Sequence, residues 1–252
     1  MLGQSRICRN HQWVDREYGR EKWPAMLDRI REHDYALPQA LHRVTVLPDE
    51  TWQIVLNGYR VDVPASLADA AYRGWIARTV ARHAVGVDAV VELGAGWGRN
   101  LFGCWLASGP SSTRYFAAEY TEAGREAASM LARRAPELRF QALDFDYHDP
   151  ALDLPRFNKL VVFTAHSVEQ IPTLPDTFVH FVRSLADQIT VLHFEPVGWQ
   201  ITGGDGTYAV QNDYNRNLWP LLKKFDVDGL SAEVDVIGIN PNNPTSLITW
   251  VY

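Results

Sequence analysis

The first 85 residues mix helical and extended patterns of apolar positions. Apolar residues recur at helical spacing over 23–33, which predicts a helix. The run 51–64 alternates apolar and polar residues around Asn57-Gly58, and this dipeptide tolerates the positive φ of a two-residue turn, so the run predicts a β-hairpin. Ser66 is the expected N-cap of a helix over 66–83. We therefore expect 1–85 to form a cap of helices and one hairpin.

From residue 87 onward, short apolar runs alternate with helical patterns. The predicted strands lie at 87–93, 115–119, 138–143, 160–164 and 189–194, and the predicted helices at 100–106, 122–134, 174–184 and 214–225. Such alternation is typical of right-handed βαβ units in a parallel sheet that is covered on both faces. The final runs, 233–239 and 246–252, are joined by only five residues, which is too short for a crossover helix and predicts an antiparallel hairpin. The expected fold is α/β, a Rossmann-like doubly wound sheet formed by residues 86–252.

Composition narrows the class of protein. The chain has 252 residues, a formal net charge of −6 and no apolar run near the ~20 residues that a membrane helix needs. An acidic chain has no general attraction for nucleic-acid phosphates. Two cysteines cannot build a disulfide framework, and the N-terminus lacks the apolar stretch of a secretory signal. We expect a cytoplasmic protein with neither a nucleic-acid nor a membrane partner, and the sheet edges leave a homodimer open.

A glycine-rich turn is the strongest motif. Residues 90–100 read VVELGAGWGRN, so Gly94, Gly96 and Gly98 follow an apolar strand that carries Glu92. Glycines allow a tight turn and a close approach of the backbone to a ligand. The dinucleotide pattern GxGxxG does not fit, because its third glycine would fall on Arg99. Glu92 would also repel a diphosphate, whereas it suits a ligand with an ammonium group.

The spacing acid-x-Gly-x-Gly-x-Gly, carried by Glu92 and the three glycines, resembles the first motif of the class I S-adenosylmethionine (SAM)-dependent methyltransferases. The resemblance covers about residues 87–252 and includes the closing antiparallel hairpin. It implies that the cofactor is SAM and that the turn holds its methionine part.

Further cofactor contacts are predicted along the sheet edge. Glu119 ends the second strand of the alternating region, where a carboxylate can accept both ribose hydroxyls, and Tyr120 can pack on the adenine. The resemblance implies that an acid after the third strand accepts from the adenine amino group, a role that suits Asp144 with Phe145 beside it, and Asp146 is the competing acid. Tyr72, Arg73 and Arg99 are candidates for the SAM carboxylate. The predicted cofactor-binding residues are Glu92, Gly94, Ala95, Gly96, Asn100, Glu119, Tyr120, Asp144, Phe145 and Thr164.

Two histidines and two glutamates follow the fourth and fifth strands. Ligands of open α/β sheets bind beyond the carboxyl ends of the strands, so His166, Glu169, His193 and Glu195 are expected at one rim. A histidine suits proton removal near neutral pH. We predict that His166 is the general base, with His193 or Glu195 as its partner or as a substrate anchor. A divalent metal on these four residues is the alternative, and we favour a site without metal.

The substrate pocket is predicted from aromatic residues near the same rim. Trp199, Tyr208 and Tyr214 surround a polar segment with glycines at 203, 204 and 206, which predicts a lid. The cap, with its 51–64 hairpin, is expected to contribute to the pocket as well.

The predicted function is methyl transfer from SAM to an oxygen or nitrogen of a small organic metabolite, in a specialised biosynthetic pathway. The alternatives are a protein or nucleic-acid methyltransferase and a SAM-binding protein with other chemistry. Asn/Asp-Pro-Pro-aromatic, a frequent signature of base-modifying enzymes, is absent after the fourth strand, where the chain reads Thr164-Ala-His-Ser167.

Overall fold

One mixed sheet of nine strands organises the computed structural model, which describes residues 8–32, 34–45, 47–108 and 112–252. The strands are β1 (Thr51–Leu56), β2 (Tyr59–Pro64), β3 (Ala89–Leu93), β4 (Arg114–Glu119), β5 (Phe140–Asp144), β6 (Phe157–Ala165), β7 (Ala186–Glu195), β8 (Asp228–Gly238) and β9 (Thr245–Val251). Their order across the sheet is β2-β1-β8-β9-β7-β6-β3-β4-β5. This is the Rossmann-like α/β fold that the alternating pattern predicts.

Helices connect and cover these strands. They are α1 (His11–Val14), α2 (Trp23–Glu32), α3 (Leu37–Val44), α4 (Ala65–His83), α5 (Arg99–Ser108), α6 (Glu122–Ala132), α7 (Thr177–Ser184), α8 (Gly198–Thr202), α9 (Thr207–Gln211) and α10 (Leu218–Lys224). A π-helical segment, Asp15–Lys22, joins α1 to α2, and a short 3₁₀ turn, Val168–Gln170, follows β6. Helix α2 therefore ends within the predicted range 23–33, whose last residue lies outside the described part of the chain. Among the described residues, no helix combines the length and apolar character that crossing a bilayer requires.

The five strands β3 to β7 are parallel, and the order reverses between β3 and β6. Such a reversal opens a crevice beyond the carboxyl ends of the two strands. Leu93 pairs with Thr164 in this register, so both strands end at the same level. The turns that follow β3 and β6 consequently lie side by side.

The antiparallel part of the sheet is larger than the predicted C-terminal hairpin. Strand β9 lies between β7 and β8 and is antiparallel to both, which confirms the hairpin. The N-terminal hairpin also forms as predicted, with Asn57 and Gly58 at φ values of 48° and 82°. Its strand β1 pairs with β8, so the hairpin extends the sheet and does not stand apart from it.

Alternation along the buried strands divides the core into two layers. Val161 and Phe163 face a layer that includes Ile76 of α4 and Leu101 of α5, whereas Val162 faces the layer formed by α7 and α10. Because both faces of the parallel strands are covered, their sequences are almost continuously apolar.

Two predicted helix starts are wrong for local reasons. Helix α4 starts at Ala65 after Pro64, and no side chain caps it, so Ser66 is not the cap. The helix predicted over 214–225 begins only at Leu218, as α10. The Asn215 carboxamide oxygen accepts from the backbone N–H groups of Asn217 and Leu218, so the preceding residues form a turn. Asp213 adopts a φ of 51°, which interrupts any helix there.

Candidate functional site

The glycine-rich turn joins β3 to α5 at the point where the strand order reverses. Gly94 has a φ of 70°, and a Cβ there would lie 2.4 Å from the Cβ of Ser167 in the turn after β6. Gly96 has a φ of 55°, and a Cβ there would lie 2.7 Å from the indole of Trp23. Both positions therefore require glycine for conformation and for space. The N–H groups of Gly94 and Ala95 donate to the carbonyl of Ala118, which fixes the turn against β4.

Glu92 occupies the end of β3 beneath this turn. Its side chain is 1% exposed, and its carboxylate accepts from Nδ2 of Asn100 at 2.9 Å and from the N–H of Leu101 at 3.2 Å. Burial raises the pKa of Glu92 to about 8, although the Asn100 hydrogen bond and the charge of Arg73 oppose this shift. The free protein thus holds a protonated or readily protonated carboxyl in the wall of the site.

Glu119 ends β4 and faces the same turn. One carboxylate oxygen accepts from the N–H of Gly96 at 2.9 Å, and the other accepts from the N–H and Oγ1 of Thr121 at 2.9 and 2.7 Å. These bonds hold the carboxylate rigidly at the carboxyl end of β4, beside the exposed face of Tyr120. The position is the one that the sequence predicts for a group that binds vicinal hydroxyls.

The acid after β5 that lines the site is Asp146. Asp144 lies outside the cavity, where its side chain is 77% exposed and pairs with Arg125 at 2.6 Å. Asp144 is the last residue of β5 and alternation directs it to the outer side, whereas Phe145 and Asp146 turn into the crevice. Of the two candidate acids, Asp146 therefore lines the cavity and Asp144 does not, and the predicted Phe145 lines it as well.

A single cavity of about 650 Å³ contains the glycine turn, Glu92 and Glu119. Its far wall is polar and comes from the turn after β6 and from the loop before β9. The polar residues of that wall are His166, Ser167, Glu169, Gln170, Asn240, Asn243 and Thr245. Tyr72 and Arg73 of α4 and Arg99 of α5 also line the cavity.

The N-terminal helical segment covers this cavity. The residues that 8–32 contribute to the lining are His11, Val14, Tyr18, Trp23, Met26 and Arg29. The guanidinium of Arg9 lies between the rings of Trp13 and Tyr214, at 4.0 and 4.3 Å from their centroids. Arg9 also donates to the carbonyl of Asn212 at 2.7 Å, so it fastens the segment to the loop before α10. Residues 51–64 of the hairpin do not line the cavity, in contrast to the sequence-based expectation.

His166 is the predicted base, and it lines the cavity. Its φ of 52° is unusual for a residue with a side chain. Nδ1 lies 3.2 Å from Oε1 of Glu169, and Nε2 lies 2.6 Å from Oγ1 of Thr245. Burial lowers the pKa of His166, but the charge of Glu169 and its hydrogen bond outweigh burial, so the pKa is raised above its ordinary value. A carboxylate at Nδ1 leaves Nε2 as the nitrogen that accepts a proton.

Glu195 positions the turn that carries His166, and it does not line the cavity. Its two carboxylate oxygens accept from the N–H groups of Ser167, Val168 and Glu169, each at 3.1 Å. Burial raises the pKa of Glu195 to about 7. Its predicted role beside His166 is therefore indirect, through the backbone of the turn.

His193 is separated from the cavity. Trp250 Nε1 donates to its Nε2 at 3.1 Å, so Nδ1 carries the proton and donates to Thr164 Oγ1 at 3.0 Å. Burial lowers the pKa of His193 to about 3, which keeps the ring neutral. Thr164 is likewise enclosed and does not line the cavity. Because both nitrogens of His193 are engaged, the four residues of the alternative metal site do not converge as ligands.

Of the three aromatic residues that are predicted to bind substrate, Tyr214 lines the cavity and the other two do not. Tyr208 lies one layer further out, where its hydroxyl accepts from Asn240, a residue that does line the cavity. Trp199 packs against Gly206 outside the lining. The glycine-rich segment therefore contributes less to the cavity than the sequence suggests.

Several lining residues carry no recognisable sequence motif. Tyr18, Trp23 and Asn243 belong to segments that contain no glycine turn and do not follow a parallel strand. The abundance of tryptophan, nine in the chain, is the only sequence signal that indicates an aromatic cover.

Solved structures that are similar to this chain include two methyltransferases. An O-methyltransferase from Bacillus cereus in complex with SAH has a TM-score of 0.51 and 13% identity, and the match covers 96% of each chain. A SAM-dependent methyltransferase from Aquifex aeolicus has a TM-score of 0.50 and 13% identity, covering 74% of this chain and 95% of that chain. No protein-family model matches the chain, and no curated protein matches it. The chain thus has the Rossmann-like fold found in SAM-dependent methyltransferases.

The buried carboxyl of Glu92 predicts a pH-dependent stability. Between its ordinary pKa of 4.5 and the raised value of about 8, the folded state keeps a proton that the unfolded chain has lost. Stability therefore falls as pH rises through this window, by up to about 1.4 kcal/mol per pH unit from this group. We expect Glu92→Gln to flatten the decline in urea unfolding free energy between pH 5.5 and 7.5. The exposed Glu137→Gln is the control, and an unchanged slope in Glu92→Gln would contradict the assignment.

Proposed function

We propose that this protein is a SAM-dependent methyltransferase that transfers a methyl group to an oxygen or nitrogen of a small organic metabolite. The observation that carries the proposal is that one cavity contains both the glycine turn with its two buried acids and the His166–Glu169 pair. The proposed cofactor site and the proposed proton acceptor thus share one cavity.

The residues around the glycine turn fit the parts of SAM. Glu119 is suited to the ribose hydroxyls and Glu92 to the ammonium group, which would favour its ionised form. Arg73 is suited to the carboxylate, because it lines the cavity and its buried Nε makes no hydrogen bond, only an ion pair of 3.5 Å with Asp69. Tyr120 and Phe145 flank the space that remains for the adenine. Bound SAM supplies an activated methyl group, so the protein need only align the acceptor and exclude water.

His166 would remove the proton of an acceptor hydroxyl or amine. Nε2 contacts the Thr245 hydroxyl. A substrate hydroxyl or amine that takes the place of Thr245 would transfer its proton to Nε2 when it accepts the methyl group. Glu169 would hold the ring by Nδ1 and stabilise the imidazolium that forms. Asn243 donates to the other oxygen of Glu169 at 2.9 Å, so the carboxylate is itself fixed.

The lining favours a small acceptor with several polar groups. Amide and hydroxyl side chains surround the His166 end, and aromatic rings of the N-terminal segment cover it. A cavity of about 650 Å³ suits a small molecule together with a cofactor. The biosynthetic role in a specialised pathway is part of the same proposal.

Gly94→Ala tests the cofactor site. A Cβ at this position would displace Ser167 and the turn after β6, so we expect SAM affinity to fall by about tenfold or more, measured by isothermal titration calorimetry. Gly86→Ala is the matched control, because Gly86 has a similar φ of 74° but open space around its Cβ position. The proposal fails if the wild-type protein binds no SAM, or if both variants bind SAM equally well. Formation of S-adenosylhomocysteine with polar metabolite fractions then tests methyl transfer itself.

Glu169→Gln tests the pairing that the proposed base requires. Loss of the neighbouring charge removes the stabilisation of the imidazolium, so we expect the pKa of His166 to fall. ¹H–¹⁵N NMR titration of the imidazole signals measures this shift, with His166→Gln to assign the resonance. Glu137→Gln should leave the value unchanged. An unchanged pKa in Glu169→Gln would show that the carboxylate does not act on this ring.

A further inference from the structure

Two histidines and one aspartate meet at the rim of the cavity, away from the His166–Glu169 pair. His11 lies in α1, and Asp146 and His148 follow β5. His11 Nε2 is 2.8 Å from one oxygen of Asp146, and His148 Nδ1 is 3.1 Å from the other. The three ligand atoms all lie within 4.8 Å of one another.

We propose that His11, Asp146 and His148 bind a divalent transition-metal ion, with Zn²⁺ the best match to the donor set. Two imidazole nitrogens and one carboxylate oxygen are ligands that zinc prefers, and their separation requires only small side-chain rotations around a tetrahedral ion. All three residues line the open cavity, so water or a ligand atom can take the fourth position. The proposed site differs in every residue from the alternative at His166, Glu169, His193 and Glu195.

The loop after β5 is already arranged for such a site. Oδ1 of Asp146 accepts from the backbone N–H of His148 at 2.8 Å, which holds the two side chains on the same side of the loop. The rings of His11 and His148 have centroids 4.2 Å apart, so the N-terminal histidine is already at the loop. Little reorganisation would be needed when a metal replaces the two imidazole–carboxylate contacts.

A metal here would close the cavity at one end. His11 belongs to the N-terminal segment that covers the cavity, whereas Asp146 and His148 belong to the sheet edge beneath it. The ion would therefore link cover and sheet at the Tyr120 end, and Arg9 fastens the same segment near Tyr214. This role does not rest on methyl transfer or on SAM binding.

Calorimetric titration of the full chain with ZnCl₂ at pH 7.5 tests the site, since ligation requires neutral imidazoles. We expect one Zn²⁺ per chain, and a loss of affinity of more than about tenfold in His11→Ala and in His148→Ala. Titration with CoCl₂ gives a second readout, because ligation by imidazole and carboxylate produces visible absorption bands. His83→Ala is the control, because His83 is exposed at the end of α4 and does not line the cavity.

Three results would overturn the proposal. The first is that the wild-type chain binds no Zn²⁺. The second is that His83→Ala and His11→Ala lose Zn²⁺ affinity equally. The third is that His166→Ala loses Zn²⁺ affinity while His11→Ala binds Zn²⁺ fully. Circular dichroism checks that each variant is folded, and Asp146→Asn, which keeps the volume of the side chain, supplies an independent ligand deletion. SAM affinity is measured separately, so failure of the metal site leaves the proposed function untouched, and the reverse also holds.

Discussion

The close contact between the turn after β3 and the turn after β6 is the constraint on which the rest of the site depends. Gly94 has no side chain, so Ser167 can approach, and the Ser167 hydroxyl donates to the carbonyl of Leu93 at 2.8 Å. The contact is possible only because the strand order reverses between these strands and their ends are level. It brings a ligand-binding turn and the turn that carries His166 to the same cavity.

Four buried glutamates act on different parts of the site around this contact. Glu119 holds the backbone of Gly96, and Glu195 holds three consecutive backbone N–H groups of the turn after β6. Glu92 and Glu169 face the cavity and are kept in place by Asn100 and Asn243. Because burial disfavours the charged form of a carboxyl, each of these groups is stable only with its hydrogen-bond donors or with a cationic ligand. The site is thus prepared for positively charged and hydroxyl-bearing groups.

The N-terminal segment completes the cavity from outside the parallel sheet. Arg9, sandwiched between Trp13 and Tyr214, and the His11–Asp146–His148 cluster attach it at two places. Trp23 lies directly on Gly96, so the cover and the glycine turn are in contact. Leu27 and Ile30 of α2 belong to the hydrophobic core, so apolar packing anchors the cover in addition to these polar contacts.

The sequence by itself determined the strand–helix alternation, the antiparallel ending, the glycine turn and the acids Glu92 and Glu119, because period, turn chemistry and strand ends are local properties. It also identified His166, since a residue that follows a parallel strand must lie at the ligand-binding edge. Only the tertiary structure placed Asp146, and not Asp144, in the cavity lining. It also placed His193, Glu195 and Thr164 outside the cavity and His11, Tyr18 and Trp23 over it. Those outcomes depend on side-chain direction and on contacts between segments 28 to 135 residues apart, which no local pattern encodes.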